Sequence, residues 1–111
     1  MQPNTVTVDT STSPATLTYA EQFNVAVPFI DRHIDEGRGD KVVIRDNDGD
    51  TTYIQLAEGV NRAGNALAAL ELTRGDRVIL AIKDCPAFFF AFWGAIKAGF
   101  VPVPVNTLLR A

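Results

Sequence analysis

Hydrophobic residues are densest between residues 86 and 105, PAFFFAFWGAIKAGFVPVPV, a stretch with a single charged side chain. A helix of about 20 apolar residues can cross a bilayer, but proline within it removes a backbone donor that lipid cannot replace. Two prolines interrupt the last third of the stretch, and Gly99 favours a helix end. The pattern therefore predicts no membrane span, but a helix of about 13 residues from Pro86 to Ala98 and a short buried strand from Phe100 to Val105.

The predicted helix over residues 86–98 is apolar on nearly every face. Its large side chains are Phe88, Phe89, Phe90, Phe92, Trp93 and Ile96. A helix with this distribution is covered by protein on more than one side, so we expect it to be buried.

A second helix is predicted from Thr52 and Gln55, which form a capping box that satisfies free backbone amides at a helix start. Apolar residues then recur at spacings of four and three, which predicts one hydrophobic stripe formed by Leu56, Val60, Ala63, Leu67 and Leu70. Gly64 lies within this helix and costs about 1 kcal/mol relative to alanine. We therefore expect a close packing contact at Gly64.

The run RVILAI at residues 77–82 is continuously apolar, which is typical of a strand buried in a parallel sheet. Gly75 and Asp76 predict a turn before it. This strand, the helix over 86–98 and the strand over 100–105 follow one another closely enough to form one βαβ unit. The fold class that follows is α/β.

The N-terminal part is predicted to differ from the rest. Residues 1–16 are rich in Thr, Ser and Pro, which predicts a disordered tail before a domain over residues 17–111. Asn24 is a suitable N-cap for a short helix that reaches about Glu36. Its predicted inward-facing residues are Phe29, Ile30 and Ile34.

Residues 41–45, KVVIR, predict a strand, and residues 47–49 predict a turn that returns the chain as a hairpin toward Thr51. The acidic turn is similar to the start of a calcium loop. Counting from Asp46, however, places Thr51 where the EF-hand requires glycine and Ala57 where it requires glutamate. We interpret the turn as a solvated hairpin tip.

Composition narrows the class of protein. With 111 residues the chain is one domain or part of one, and a net charge of −3 without a basic block argues against nucleic-acid binding. No charged segment leads into an apolar region near Met1, so the sequence shows no secretory signal and a cytoplasmic location is expected. One cysteine and one histidine cannot supply an internal disulfide or a zinc site.

Candidate chemistry should lie beyond the carboxyl ends of the two parallel strands, where doubly wound sheets bind ligands. The residues there are Lys83, Asp84 and Cys85 after one strand and Asn106 and Thr107 after the next. Neither connection is glycine-rich, and no phosphate-binding loop motif is present.

Cys85 and His33 have side chains that could take part in catalysis. Cys85 lies near a predicted helix N-terminus, a setting that can activate a thiol, but no base accompanies it in the sequence. His33 lies beside Phe29 and Ile30 at helical spacing, which favours a packed or surface histidine over a catalytic base. The sequence therefore predicts no active site contained within these residues.

Two segments, TTYIQL at 51–56 and GAIKAGFVPVPVN at 94–106, resemble the first and second core motifs of the adenylate-forming superfamily, which includes acyl-CoA synthetases, peptide synthetase adenylation domains and luciferases. NRAGNALAAL and GDRVILAI are similar to the helix and strand between those motifs. The segments FNVAVPFIDRH, AFWGAIKAG and VPVPVNTLL resemble the aryl-CoA ligases, benzoate-CoA ligases among them. The resemblance covers residues 21–111 and departs at Glu71, where the family has glycine, so we expect a locally altered loop.

The resemblance implies an incomplete N-terminal portion of an AMP-binding domain from an AMP-forming aryl-acid CoA ligase. Such an enzyme joins benzoate or hydroxybenzoate to coenzyme A with ATP and Mg²⁺. Its phosphate loop, its aromatic-Gly-x-Thr-Glu segment, its ribose-binding aspartate and its lysine on a mobile C-terminal domain would all follow residue 111. No catalytic, cofactor-binding or metal-binding residue of the family matches a position here.

Two alternatives remain open at this point. A ligase for fatty acids or other acyl groups shares much of the same pattern, and the acid-binding pocket that would distinguish it is not among these residues. A small α/β interaction module without catalytic activity is the other alternative. The ending NTLLRA, directly after a predicted strand, argues against the interaction module because no further element would cover the aromatic helix.

Overall fold

The structure, a computed structural model, describes residues 1–108. Its elements, in chain order, are β1 (Val6–Asp9), β2 (Thr16–Tyr19), a π-helical turn (Val27–Asp31), α1 (Arg32–Asp35), β3 (Val42–Asp46), β4 (Gly49–Thr52), α2 (Tyr53–Ala68), β5 (Arg77–Leu80), α3 (Pro86–Lys97) and β6 (Val101–Pro104). Strands pair as β1 with β2, β3 with β4 and β5 with β6. The last three residues of the predicted domain 17–111 lie outside the described residues.

The predicted βαβ unit is confirmed. β5 and β6 are parallel, with Arg77 opposite Val101 and Leu80 opposite Pro104, and α3 forms the connection. Gly99 adopts a φ of 91° directly after α3, the left-handed conformation that ends helices. Within residues 1–108 no helix has the length and apolar character needed to cross a membrane.

The prediction that these strands and α3 are buried is wrong for the described residues. Leu80 is 5% exposed, but Ile79, which points to the opposite face of the strand, is 70% exposed. Phe89 on α3 is also exposed, and the other large side chains of this helix are half-buried. The physical reason is that residues 1–108 cover only one face of the parallel pair.

The start of α2 agrees with the sequence. The Thr52 hydroxyl accepts a hydrogen bond from the backbone N–H of Gln55 at 3.3 Å, and the Gln55 side-chain oxygen accepts one from the backbone N–H of Thr52 at 2.9 Å. Both halves of the predicted capping box are therefore present.

The core lies where α2 crosses α3 and meets the turn before α1. Its buried residues are Ile30, Leu56, Ala57 and Val60, with Ile34, Ile44, Tyr53, Phe90 and Trp93 packed around them. The apolar stripe of α2 thus reaches the core through Leu56 and Val60. Leu70 is 65% exposed, contrary to the prediction, because α2 ends at Ala68.

Gly64 makes the predicted close contact, and its partner is another glycine. A Cβ atom on Gly94 would lie 2.8 Å from the Cβ of Ala63 and 2.9 Å from both the backbone N of Gly64 and the carbonyl oxygen of Val60. No real Cβ atom approaches backbone so closely, so α2 and α3 cross with their main chains in contact.

The predicted disordered tail over residues 1–16 differs from the structure, in which β1 and β2 form an antiparallel hairpin. Val6 pairs with Tyr19 and Val8 with Leu17, so the apolar residues share one face. The two-residue alternation favours strands despite the Thr- and Ser-rich composition. Asn4 anchors the hairpin, because its side-chain oxygen accepts a hydrogen bond from the Asn24 N–H at 2.7 Å.

The helix predicted from Asn24 to about Glu36 exists in part. It begins with the π-helical turn after Ala26 and continues as α1 to Asp35. Ile30 is buried as predicted, but Phe29 is 60% exposed. The extra residue per turn of a π-helix rotates successive side chains, so the spacing of an α-helix misplaces Phe29.

The hairpin predicted after residues 41–45 is confirmed as β3 and β4. Arg45 lies opposite Asp50 and Asp46 opposite Gly49, with a register irregularity between Val42 and Ile44. The acidic tip between the strands is exposed.

Candidate functional site

The carboxyl ends of β5 and β6 meet at one edge, as the parallel pairing requires. A shallow cleft of about 370 Å³ there is lined by Ile82, Lys83, Asp84, Val105, Asn106, Thr107 and Leu108. Four of the five candidate residues of the strand ends are therefore brought together. The Asn106 side-chain oxygen accepts a hydrogen bond from the Leu108 N–H at 2.8 Å, which orders the turn after β6.

Cys85, the fifth candidate, lies apart from that cleft and occupies the N-cap position of α3. It is half-buried at the rim of a second cleft of about 440 Å³, whose walls include Ile44, Tyr53, Phe89 and Trp93. Its thiol makes no hydrogen bond with any described residue. The geometry therefore gives Cys85 no partner that would accept its proton.

His33 also lies away from the strand ends. Its ring stacks on Tyr53 with centroids 4.4 Å apart, and its Nδ1 accepts a hydrogen bond from Arg38 Nε at 3.0 Å. Partial removal from water lowers the pKa of His33, and the guanidinium groups of Arg38 and Arg32 lower it further. His33 is thus held neutral by packing and charge.

Contacts that sequence reasoning missed hold the C-terminal end of α3. The Asn24 side-chain amide donates to the carbonyl oxygens of Ile96 at 3.0 Å and Lys97 at 3.3 Å. The Lys97 ammonium pairs with the Asp31 carboxylate at 3.0 Å. Asn24 was expected to cap the helix that follows it, and its oxygen does accept a hydrogen bond from the Ala26 N–H. The second role of the same side chain depends on tertiary structure.

Among residues 1–108 no three His, Cys, Asp or Glu side chains converge on a point that could hold a metal ion. The carboxylates of Asp46 and Asp84 line the cleft beside Cys85, but do not form such a group with a third ligand.

The sequence from residue 30 to residue 111 matches the family model described as AMP-binding enzyme. This match includes the capping box, the glycine contact between α2 and α3, and the parallel strand pair. The chain belongs to this family. Its membership does not favour the alternative of an unrelated small interaction module.

Individual relatives are also similar to this chain. It is 44% identical over 89 residues to the 4-hydroxybenzoate–CoA/benzoate–CoA ligase of Rhodopseudomonas palustris, which covers 80% of this chain and 16% of that protein. It is 43% identical over 102 residues to the benzoate–CoA ligase of Thauera aromatica, with 91% and 19% covered.

A solved structure of a benzoate CoA ligase from Burkholderia xenovorans LB400 has the same fold over 78% of this chain and 17% of its own length. The TM-score is 0.73 and the sequence identity is 39%. The α/β architecture predicted from the sequence is thus the N-terminal architecture of an adenylate-forming enzyme. The chain spans less than a fifth of the length of each of these three relatives.

Proposed function

We propose that the whole protein is an AMP-forming aryl-acid CoA ligase, and that benzoate or a hydroxybenzoate is its acid substrate. The observation that carries this proposal is the 44% identity to a 4-hydroxybenzoate–CoA/benzoate–CoA ligase over most of the chain. The segments of aryl-ligase character, which include α3 and β6, lie within that similarity. ATP, Mg²⁺ and coenzyme A would be the other reactants, in a cytoplasmic enzyme of aromatic-acid degradation.

The reaction would proceed in two steps. The carboxylate attacks the α-phosphorus of ATP, which forms an acyl-adenylate and releases pyrophosphate. The coenzyme A thiolate then attacks the acyl carbonyl, a thioester forms, and AMP leaves. Mg²⁺ and cationic groups of the whole enzyme would stabilise the charge that moves onto the phosphates.

The part of the enzyme described here would act as scaffold. Residues 17–111 would form the N-terminal portion of the AMP-binding domain, with no catalytic, cofactor-binding or metal-binding residue among them. What supports this assignment is that the chain spans less than a fifth of the length of its ligase relatives, and that the segments of family character found in it cap α2 and pack α2 against α3.

The test is benzoate-dependent exchange of labelled pyrophosphate into ATP by the whole protein, followed by thioester formation with coenzyme A. Benzoate and 4-hydroxybenzoate should support both reactions, whereas decanoate, the control acid, should support neither. Faster exchange with decanoate than with benzoate would contradict the aryl assignment. Exchange by the 111-residue chain alone, above a control without acid, would contradict the scaffold assignment.

A further inference from the structure

The loop between α1 and β3, residues 36–41, completes the hydrogen bonding at the start of α2. The backbone N–H of Tyr53 donates to the carbonyl oxygen of Lys41 at 3.1 Å, and that of Ile54 donates to the carbonyl oxygen of Gly39 at 3.0 Å. The first amides of a helix have no partner within the helix itself. The loop therefore satisfies two of them, beside the one that Thr52 caps.

His33 fastens this loop through two bonds to one residue. Its carbonyl oxygen accepts from the Arg38 backbone N–H at 2.7 Å, and its Nδ1 accepts from Arg38 Nε at 3.0 Å. The ring also stacks on Tyr53, the first residue of α2. Because Nδ1 accepts a hydrogen bond, the ring must be neutral, with its proton on Nε2.

The groups around the ring make a positive charge on it unfavourable. The charged neighbours are Arg32 on α1 and Glu36, Arg38 and Lys41 on the loop. The phenol of Tyr53 on α2 stacks on the ring, and that of Tyr19 on β2 lines a groove with His33. Glu36 is the one acidic group in this set, and it already pairs with Arg38. Protonation of Nδ1 would remove the acceptor and place two cations 3.0 Å apart.

We propose that His33 and Arg38 form a pH-sensitive latch, which keeps the 36–41 loop on the first turn of α2 while His33 is neutral and releases it when His33 is protonated. The lowered pKa of His33 in the folded chain sets the direction of the effect. His33 binds a proton more readily in the unfolded chain than in the folded chain. The latch is therefore complete at pH values above the pKa of His33 in the unfolded chain, about 6.5. The latch is lost as the pH falls from that value through the lower pKa that His33 has in the folded chain.

Amide hydrogen exchange tests the latch directly in the whole protein. Between about pH 7.5 and 5, the protection factors of the Tyr53 and Ile54 amides should fall severalfold, whereas that of the Gln55 amide, bonded to Thr52, should fall less. His33→Asn keeps an acceptor oxygen near the Nδ1 position but does not titrate, so its protection should not depend on pH. Equal loss of protection in His33→Asn, or unprotected Tyr53 and Ile54 amides at both pH values, would overturn the proposal.

A second measurement, ¹⁵N NMR of the imidazole ring, follows the titration of His33 itself, with this residue unchanged. His33 is the only histidine among these 111 residues, and the ¹⁵N resonances missing from His33→Asn identify it in the whole protein, where they report its tautomer and its titration. We expect the Nε2–H tautomer at neutral pH, a pKa below that measured in urea, and a rise of the pKa in Arg38→Met. A folded pKa at or above the value in urea, or no response to Arg38→Met, would contradict the latch.

Discussion

The carbonyl oxygen of Gly94 lies 3.0 Å from the position that a Cβ atom would take on Gly64. The crossing of α2 and α3 is therefore a contact between two main chains, and side chains at either position would have to separate the helices. Val60, one turn away, is completely buried at the same crossing.

Gly94→Ala should destabilise the whole protein. The added methyl group meets three atoms closer than 3.0 Å, two of them backbone, so overpacking of about 3 kcal/mol should outweigh the gain of about 1 kcal/mol in helix propensity. Thermal unfolding measures the change. Ala66→Leu, on the exposed face of α2, is the control and should alter the melting temperature little. A stabilised Gly94→Ala protein would contradict the close contact.

Thr52→Ala should lower the free energy of unfolding of the whole protein by about 1 kcal/mol, because it removes the hydroxyl that accepts from the Gln55 N–H. Thr52→Ser keeps an oxygen at that position and should restore most of the loss. Steady-state kinetics should show kcat and the KM values for ATP and acid little changed. A large fall in kcat at unchanged stability would place this motif in the active site.

Asn24→Ala should destabilise the protein by about 1–3 kcal/mol, because the carbonyl oxygens of Ile96 and Lys97 lose their donor in a partly buried place. Asn24→Asp should destabilise the protein more than Asn24→Ala, because it places a carboxylate at the negative end of the α3 dipole. Asn61→Ala, on the exposed surface of α2, is the control. Equal stability of the Asp and Ala variants would show that the amide does not hold this helix end.

Glu71→Gly should stabilise the protein by up to about 1 kcal/mol. Glu71 has a φ of 59°, a conformation that costs a residue with a Cβ roughly 1–2 kcal/mol. Glycine removes this cost, but it also makes the unfolded chain more flexible, which offsets part of the gain in stability. The control is Gly75→Ala at a φ of 88°, which should destabilise. Denaturant unfolding would measure both, and a loss of stability in Glu71→Gly would contradict the strain at this position.

The 111-residue chain should bind a hydrophobic dye through the uncovered face of β5 and β6, where Ile79 is 70% and Val101 46% exposed. Ile79→Lys should lower the fluorescence of the bound dye without loss of helical circular dichroism. Leu70→Lys removes an equally exposed side chain from the end of α2 and is the control. Dye binding that falls equally in both variants would mean that the sheet face is not the binding surface.

Features that depend on neighbours in sequence were predicted well. The capping box at Thr52, the turn at Gly75 and the end of α3 at Gly99 each follow from a few consecutive residues. The bonds from Asn24 to Ile96, 72 positions away, depend on how the helices pack, and no local pattern contains them. The prediction that β5 is buried was wrong for a related reason. An apolar strand is buried only when other parts of the protein cover both its faces.

At the strand ends, sequence reasoning identified the residues but not their grouping. Parallel pairing predicts that Lys83 and Asp84 meet Asn106 and Thr107, and they do. Cys85 follows directly in sequence, yet it is the N-cap of α3 and lines only the neighbouring cleft, which Asp84 lines as well. The helix start at Pro86 was predicted correctly, but which cleft the N-cap residue lines depends on how α3 packs against the rest of the fold, and no local pattern contains that.

The pairing of Arg77 with Val101 across the whole of α3 has a consequence for synthesis of the protein. The hairpins of β1 with β2 and of β3 with β4 close short loops and can form as soon as each has left the ribosome, whereas β5 must wait for an entire helix and β6. During that interval its backbone donors and acceptors have no strand partner. The newly made β5 strand is therefore the segment that we expect a chaperone to bind.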